Sequence, residues 1–170
     1  MAGGITQAAQ RRRRVAVIPG DGVGPEVIAS ALKVMLAAAE SSGHGIEYTE
    51  FDWGAERFLR DGTTLPAGAE EMLRKEYDAI LLGAMGDPRV PSNRHAAEIL
   101  LGLRFKLDLY VNLRPVYLLE QRFTPLKDRR EADIRFVVIR ENTEGLYVGM
   151  GGFFKKGTAD EVAVQEDVNT

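Results

Sequence analysis

Three arginines and one tyrosine, Arg104, Arg114, Arg140 and Tyr147, sit at the margins of apolar segments. Planar guanidinium groups bind carboxylates through two parallel hydrogen bonds and stay charged at any working pH, so three of them converging suit a di- or tricarboxylate. A phenol at the edge of such a site can pass a proton. From the pattern alone, an ion-pair network would look the same. In that reading each arginine pairs with a carboxylate such as Glu98, Asp108 or Glu141, and Tyr147 is an amphipathic core residue.

The elements that must position these groups are read from periodicity. Segment 107–114 alternates strictly, which predicts a strand with Leu107, Leu109, Val111 and Leu113 on one side and Asn112 and Arg114 on the other. Residues 96–104 read as a short helix in which Leu100 and Arg104, four apart, share a face. The continuous apolar run 136–139 predicts a strand buried on both faces that delivers Arg140, after which residues 141–145 turn the chain to Tyr147.

Composition narrows the class. The chain has 170 residues, 45% hydrophobic and 28% charged, enough apolar surface for one core. A net charge of -3 gives no general attraction to nucleic acid or anionic membranes, so any anion binding must be local. No apolar run is long enough to span a bilayer. The absence of cysteine excludes disulfides and thiol chemistry and agrees with a cytoplasmic protein.

Residues 1–14, ending in four arginines, read as a flexible basic tail; a transit peptide would share this composition but would be longer. A buried-type strand over 15–19, a glycine loop and a helix opened by Pro25 and Glu26 form a βα unit. Proline occupies position 25, where a dinucleotide fingerprint would need its third glycine, so the loop reads as a tight turn. A half-exposed strand over 46–51, helices over 55–60 and 67–76, and a buried strand over 78–83 follow. This alternation predicts an α/β fold, a helix-flanked, mainly parallel sheet whose ligands lie beyond the carboxyl ends of the strands, where residues 83–88 stand. Residues 122–135 read as a charged, solvated connection. His44 and His95 look isolated and are assigned surface or structural roles, with no metal site. From about 149 a glycine-rich, strand-prone excursion carries Phe153 and Phe154, which favour a partner chain if exposed.

Several strings in order resemble the isocitrate/isopropylmalate dehydrogenase family: VIPGDGVGPE from Val17, RFKLDLYVNLRP from Arg104 and RENTEGLY from Arg140. The resemblance runs from Val15 to Thr170 and implies that family's fold, incomplete at the carboxyl end. Residues 15–105 would begin the large lobe and 106–170 the small lobe with its dimer arm, giving a homodimer. Members oxidise a 2-hydroxy acid with a neighbouring carboxylate, pass hydride to NAD or NADP and release carbon dioxide with the help of Mg2+ or Mn2+. By resemblance, Arg104, Arg114 and Arg140 hold the malate carboxylates, Tyr147 is catalytic, and Gly86, Asp87 and Pro88 approach the nicotinamide side of NAD.

Substrate choice would rest on the helix before Arg104. Isocitrate-type members carry hydroxyl and amide groups there, whereas this chain offers Glu98, Ile99, Leu100 and Leu101, which favour an alkyl substituent. The expected reaction is NAD-dependent oxidative decarboxylation of a 3-alkylmalate, most simply 3-isopropylmalate in leucine biosynthesis. Tartrate, D-malate, homoisocitrate and isocitrate stay open as alternatives. The family's metal ligands, catalytic lysine and adenosine loop would lie beyond Thr170, so this chain alone is expected not to turn over; the alternative class is a non-catalytic fragment or partner-binding subunit.

Overall fold

The computed structural model describes residues 12–170, so most of the expected basic tail lies outside the described residues. The chain divides into two compact units, Met1–Leu107 and Asp108–Thr170. In the first, strands β1 (Arg13–Ile18), β2 (Ile46–Glu50) and β3 (Ala79–Leu82) form a parallel sheet of order β2-β1-β3. Helices α1 (Gly24–Ser41), α2 (Ala55–Asp61), α3 (Ala69–Glu76) and α4 (Arg94–Lys106) complete the unit. The expected α/β architecture with a parallel, helix-flanked sheet is therefore present.

The central position of β1 explains its composition. Val15, Ala16, Val17 and Ile18 are all buried, as a strand with a layer on each face requires. Ala16 and Ile18 join Trp53, Leu73, Ile99 and Leu103 in one cluster, while Val15 and Val17 meet Ile28 and Leu32 of α1 in another. Proline at the start of α1 costs nothing, because its missing N–H would have had no intrahelical partner. β1 starts two residues earlier than periodicity predicts: Arg13 and Arg14 belong to it, with Arg13 paired to Asp78 at 3.1 Å and the Arg14 guanidinium over the Tyr77 ring at 5.1 Å. β3, expected to be buried, is an edge strand in this sheet and only half-buried.

The second unit consists of two antiparallel ribbons. β4 (Val111–Tyr117) pairs with β5 (Arg135–Glu141), and β6 (Gly151–Phe154) with β7 (Val162–Gln165). Two expectations change here. The strand foreseen over 107–114 is displaced to Val111–Tyr117, because α4 continues to Lys106 and Asp108 takes a left-handed turn at φ 54°. The strand foreseen as buried over 136–139 is exposed along its whole length, Ile139 at 72%. A two-stranded ribbon gives each strand a single hydrogen-bonded neighbour, and an unbroken apolar run does not reveal which faces are covered.

Candidate functional site

The antiparallel register decides which side chains of the second unit meet. Asn112 stands opposite Arg140 and Arg114 opposite Val138. Residues directly opposite project to the same face, and so do residues two apart on one strand, so Arg114 and Arg140 are diagonal neighbours on one face with Asn112 between them. Beyond β5 the chain turns back and sets the Tyr147 ring under Arg140, with the guanidinium carbon 5.3 Å from the ring centroid. The two cations thus share one exposed face of the ribbon, with the Tyr147 ring against Arg140.

The turn that carries Tyr147 is held from within. The Glu141 carboxylate accepts hydrogen bonds from Thr143 Oγ1 at 2.6 Å, Thr143 N at 2.6 Å and Glu144 N at 2.7 Å. The Thr143 hydroxyl foremost, and these amides, outweigh desolvation and hold the Glu141 carboxyl at about 2. Asn142, buried, receives Asn112 Nδ2 at 3.2 Å and gives its own amide to the Leu109 carbonyl at 3.2 Å. The turn is thereby tied to the approach of β4. Glu141 is occupied by its own turn, and among the described residues neither Arg114 nor Arg140 makes an ion pair. Glu98 likewise is taken by Arg94 Nε at 2.6 Å and Thr64 Oγ1 at 2.8 Å.

Arg104 and Leu100 belong to the first unit, one turn apart on α4, Arg104 half-buried and Leu100 36% exposed. Gly86, Asp87 and Pro88 lie on the loop after β3, at the carboxyl end of the parallel sheet. Asp87 N donates to Asn93 Oδ1 at 3.1 Å, and the Asp87 carboxylate is gripped by Arg89, whose guanidinium also reaches Glu56. The Arg89 side chain first, then its amide, hold the Asp87 carboxyl at about 2.

The same loop reveals a pair that sequence reasoning missed. Asp21 Oδ1 accepts the Ala55 amide at 2.6 Å, while Oδ2 accepts the Gly86 amide at 2.9 Å and lies 2.7 Å from His95 Nε2. Both side chains are buried, so His95 is neither isolated nor on the surface. Burial pushes the Asp21 carboxyl up, but the Ala55 and Gly86 amides and His95 together outweigh it and leave the group below its ordinary value. One signal was available: His95, Ile99 and Leu103, four apart, form the buried stripe of α4, and a histidine heading an apolar stripe needs an inward partner. His44 is exposed, as a surface role requires.

A parallel α/β unit with its loops at the strands' carboxyl ends, followed by an arginine-bearing ribbon and a β-hairpin, is the part of an isocitrate/isopropylmalate dehydrogenase fold that this chain forms. The chain belongs to the isocitrate/isopropylmalate dehydrogenase family, whose sequence profile matches residues 14–169. It is 51% identical over 160 residues to the 3-isopropylmalate dehydrogenase of Thermobifida fusca and 52% identical over 158 residues to that of Corynebacterium kroppenstedtii. These matches cover 94% and 92% of this chain but 45% of each relative, so the chain spans about half the length of the curated relatives it matches. Among solved structures, a beta-decarboxylating dehydrogenase from Thermococcus kodakarensis in its apo form aligns with TM-score 0.60 and 33% identity over 92% of this chain and 41% of that one. Isocitrate dehydrogenase from Methylococcus capsulatus aligns with TM-score 0.67 and 28% identity over 91% and 42% respectively.

Proposed function

We propose that this chain supplies the carboxylate-binding face and part of the cofactor-facing loop of an NAD-dependent dehydrogenase that oxidatively decarboxylates a 3-alkylmalate, most simply 3-isopropylmalate in leucine biosynthesis. The observation that carries this reading is the pairing of Arg114 and Arg140 on one ribbon face with Tyr147 beneath Arg140. Two guanidinium groups diagonal on a ribbon can each take a carboxylate of a short diacid and fix its orientation, where much of the rate advantage of such a site lies. Arg104, on α4 of the first unit, is assigned a substrate carboxylate by the family resemblance alone. Tyr147 Oη would deliver a proton to the substrate carbon that has lost carbon dioxide. Leu100, 36% exposed and four residues before Arg104, would receive the alkyl substituent in preference to a third carboxylate.

The backbone at 86–88 fits a cofactor's approach: Gly86 adopts φ 140°, open to glycine alone, and presents no side chain at the carboxyl end of the sheet. Gly86, Asp87 and Pro88 would face the nicotinamide side, and NAD would supply the hydride acceptor. The Mg2+ or Mn2+ of the reading is a different matter. Among the described residues no group of three or more His, Cys, Asp or Glu side chains could hold a metal ion, so these residues alone do not fit one.

The test is to complete the chain with the carboxyl half of the Thermobifida fusca relative and follow NAD reduction with Mg2+ present. Turnover of 3-isopropylmalate by the completed protein, and none by the 170-residue chain, is the expected result. A completed protein that prefers isocitrate or tartrate overturns the substrate assignment; a steady rate from the chain alone overturns the view that essential parts lie elsewhere.

The hairpin of β6 and β7 supports a homodimer. Phe153 and Phe154 are 58% and 65% exposed on opposite faces of the ribbon, apolar surface that a second copy would cover, with Lys156 and Lys155 over their rings. Replacing both phenylalanines by aspartate should convert a dimer of the completed protein to monomer in sedimentation equilibrium, whereas an unchanged mass places the dimer contact elsewhere. No helix among the described residues is long and apolar enough to cross a membrane. We place the enzyme in the cytoplasm, where its substrates would be made.

A further inference from the structure

We propose that Asp21 and His95 are positioning residues that hold the loop after β3, residues 83–88, in register with the loop after β1 and with the starts of α2 and α4. The proposal deepens the reading above in one respect, since it is on that loop that the cofactor would be met. Asp21 joins segments far apart in sequence: Ala55, Gly86 and His95 lie 34, 65 and 74 positions away. Its own amide donates to the Ala84 carbonyl at 2.7 Å, so both ends of the residue clamp the same loop. A Cβ on Gly54 would lie 2.6 Å from Asp21 Oδ1, which means that α2 starts as close to the carboxylate as the chain allows.

An ionised carboxylate only accepts, so His95 Nε2 donates to Asp21 Oδ2 and the other ring nitrogen, Nδ1, points away from the carboxylate. That Nδ1 is buried and has no partner among the described residues. A core selected for stability alone would place a hydrophobic side chain here, in line with Ile99 and Leu103, because a buried polar pair with one orphaned atom is inferior to apolar packing. What the pair supplies and an apolar residue does not is a fixed acceptor for the Gly86 amide. His95, packed near the Phe58 ring at 6.0 Å, sets where that acceptor points.

The test uses amide hydrogen exchange by NMR on the 170-residue chain. Asp21→Asn leaves one acceptor oxygen where two served, and His95→Leu removes the donor that orients Oδ2. Both should accelerate exchange at Gly86 about tenfold while Ala16 and Val17 in β1 stay within about twofold of the parent. His95→Gln, which keeps an N–H near the Nε2 position, should return Gly86 to within about threefold of the parent. Gly86 exchange unchanged in both disruptive variants, rising in step with Ala16 and Val17, or as fast in His95→Gln as in His95→Leu overturns the proposal. If Asp21→Asn does not fold, the two His95 variants decide alone. Adding NAD to the completed protein separates the two ideas: slower Gly86 exchange supports the cofactor reading, and no NAD effect overturns that reading while the variant pattern still decides the role of the pair.

Discussion

Gly83→Ala is expected to lower the stability of the first unit by about 3–5 kcal/mol, a large share of what a domain of this size possesses. The added Cβ would lie 2.0 Å from the Pro19 carbonyl oxygen and 2.8 Å from its carbon, so the obstacle is main chain and cannot rotate away. Nor can the two segments part cheaply. Gly83 N donates to the Ile18 carbonyl at 2.8 Å and Asp21 N to the Ala84 carbonyl at 2.7 Å, so separating them breaks a buried hydrogen bond on either side of the clash. β1, which would have to shift, is the most buried element of the unit. Trp53, the sole tryptophan and buried in the core, makes the measurement direct: urea unfolding followed by its fluorescence. Gly102→Ala is the matched control. Within α4 the same methyl would meet only Leu65 at 3.9 Å, and helix propensity predicts a gain of about 0.5–1 kcal/mol. A midpoint for Gly83→Ala within error of the parent would show that the two loops are not in contact as described.

Arg140→Ala in the completed protein is expected to lower kcat/KM for 3-isopropylmalate about a thousandfold. The basis is the loss of a charge-assisted, two-pronged contact to a carboxylate, about 4 kcal/mol when the partner charge is left unmatched. Lysine should recover little, since a single ammonium cannot reproduce the planar fork. The other end of the same ribbon supplies a stringent comparison. Arg135 stands opposite Tyr117 with its guanidinium carbon 5.4 Å from that ring, nearly the geometry of Arg140 over Tyr147. Arg135→Ala should change kcat/KM less than about twofold, because the reading assigns no carboxylate to that end. Equal losses at the two positions would mean that the ribbon contributes charge alone, and equal activity at both would remove Arg140 from the site.

Much of the first unit could be read from residue order. The run from Val15 to Ile18, the proline opening α1 and the alternation of strands and helices are local patterns, and each persists in the structure. The second unit was less legible. Alternation correctly put Asn112 and Arg114 on one face, because that depends only on the pleat of a single strand. That Arg140 joins them depends on cross-strand register, which no spacing within either segment contains. The start of β4 was misplaced because residues 107–110 alternate as well as those that follow, and only the left-handed turn at Asp108 separates them.

The amino-acid sequence by itself determined the family, through ordered strings such as RENTEGLY, and the parallel α/β character of the first unit, through hydrophobic period. Tertiary structure alone decided that Asp21, Gly86 and His95 meet, and that Arg140 shares a face with Arg114 above Tyr147. The physical reason is range. Periodicity reports the dihedral preferences and burial of a few successive residues, whereas a hydrogen bond across 65 or 74 positions exists only after the intervening helices have packed and brought its ends together.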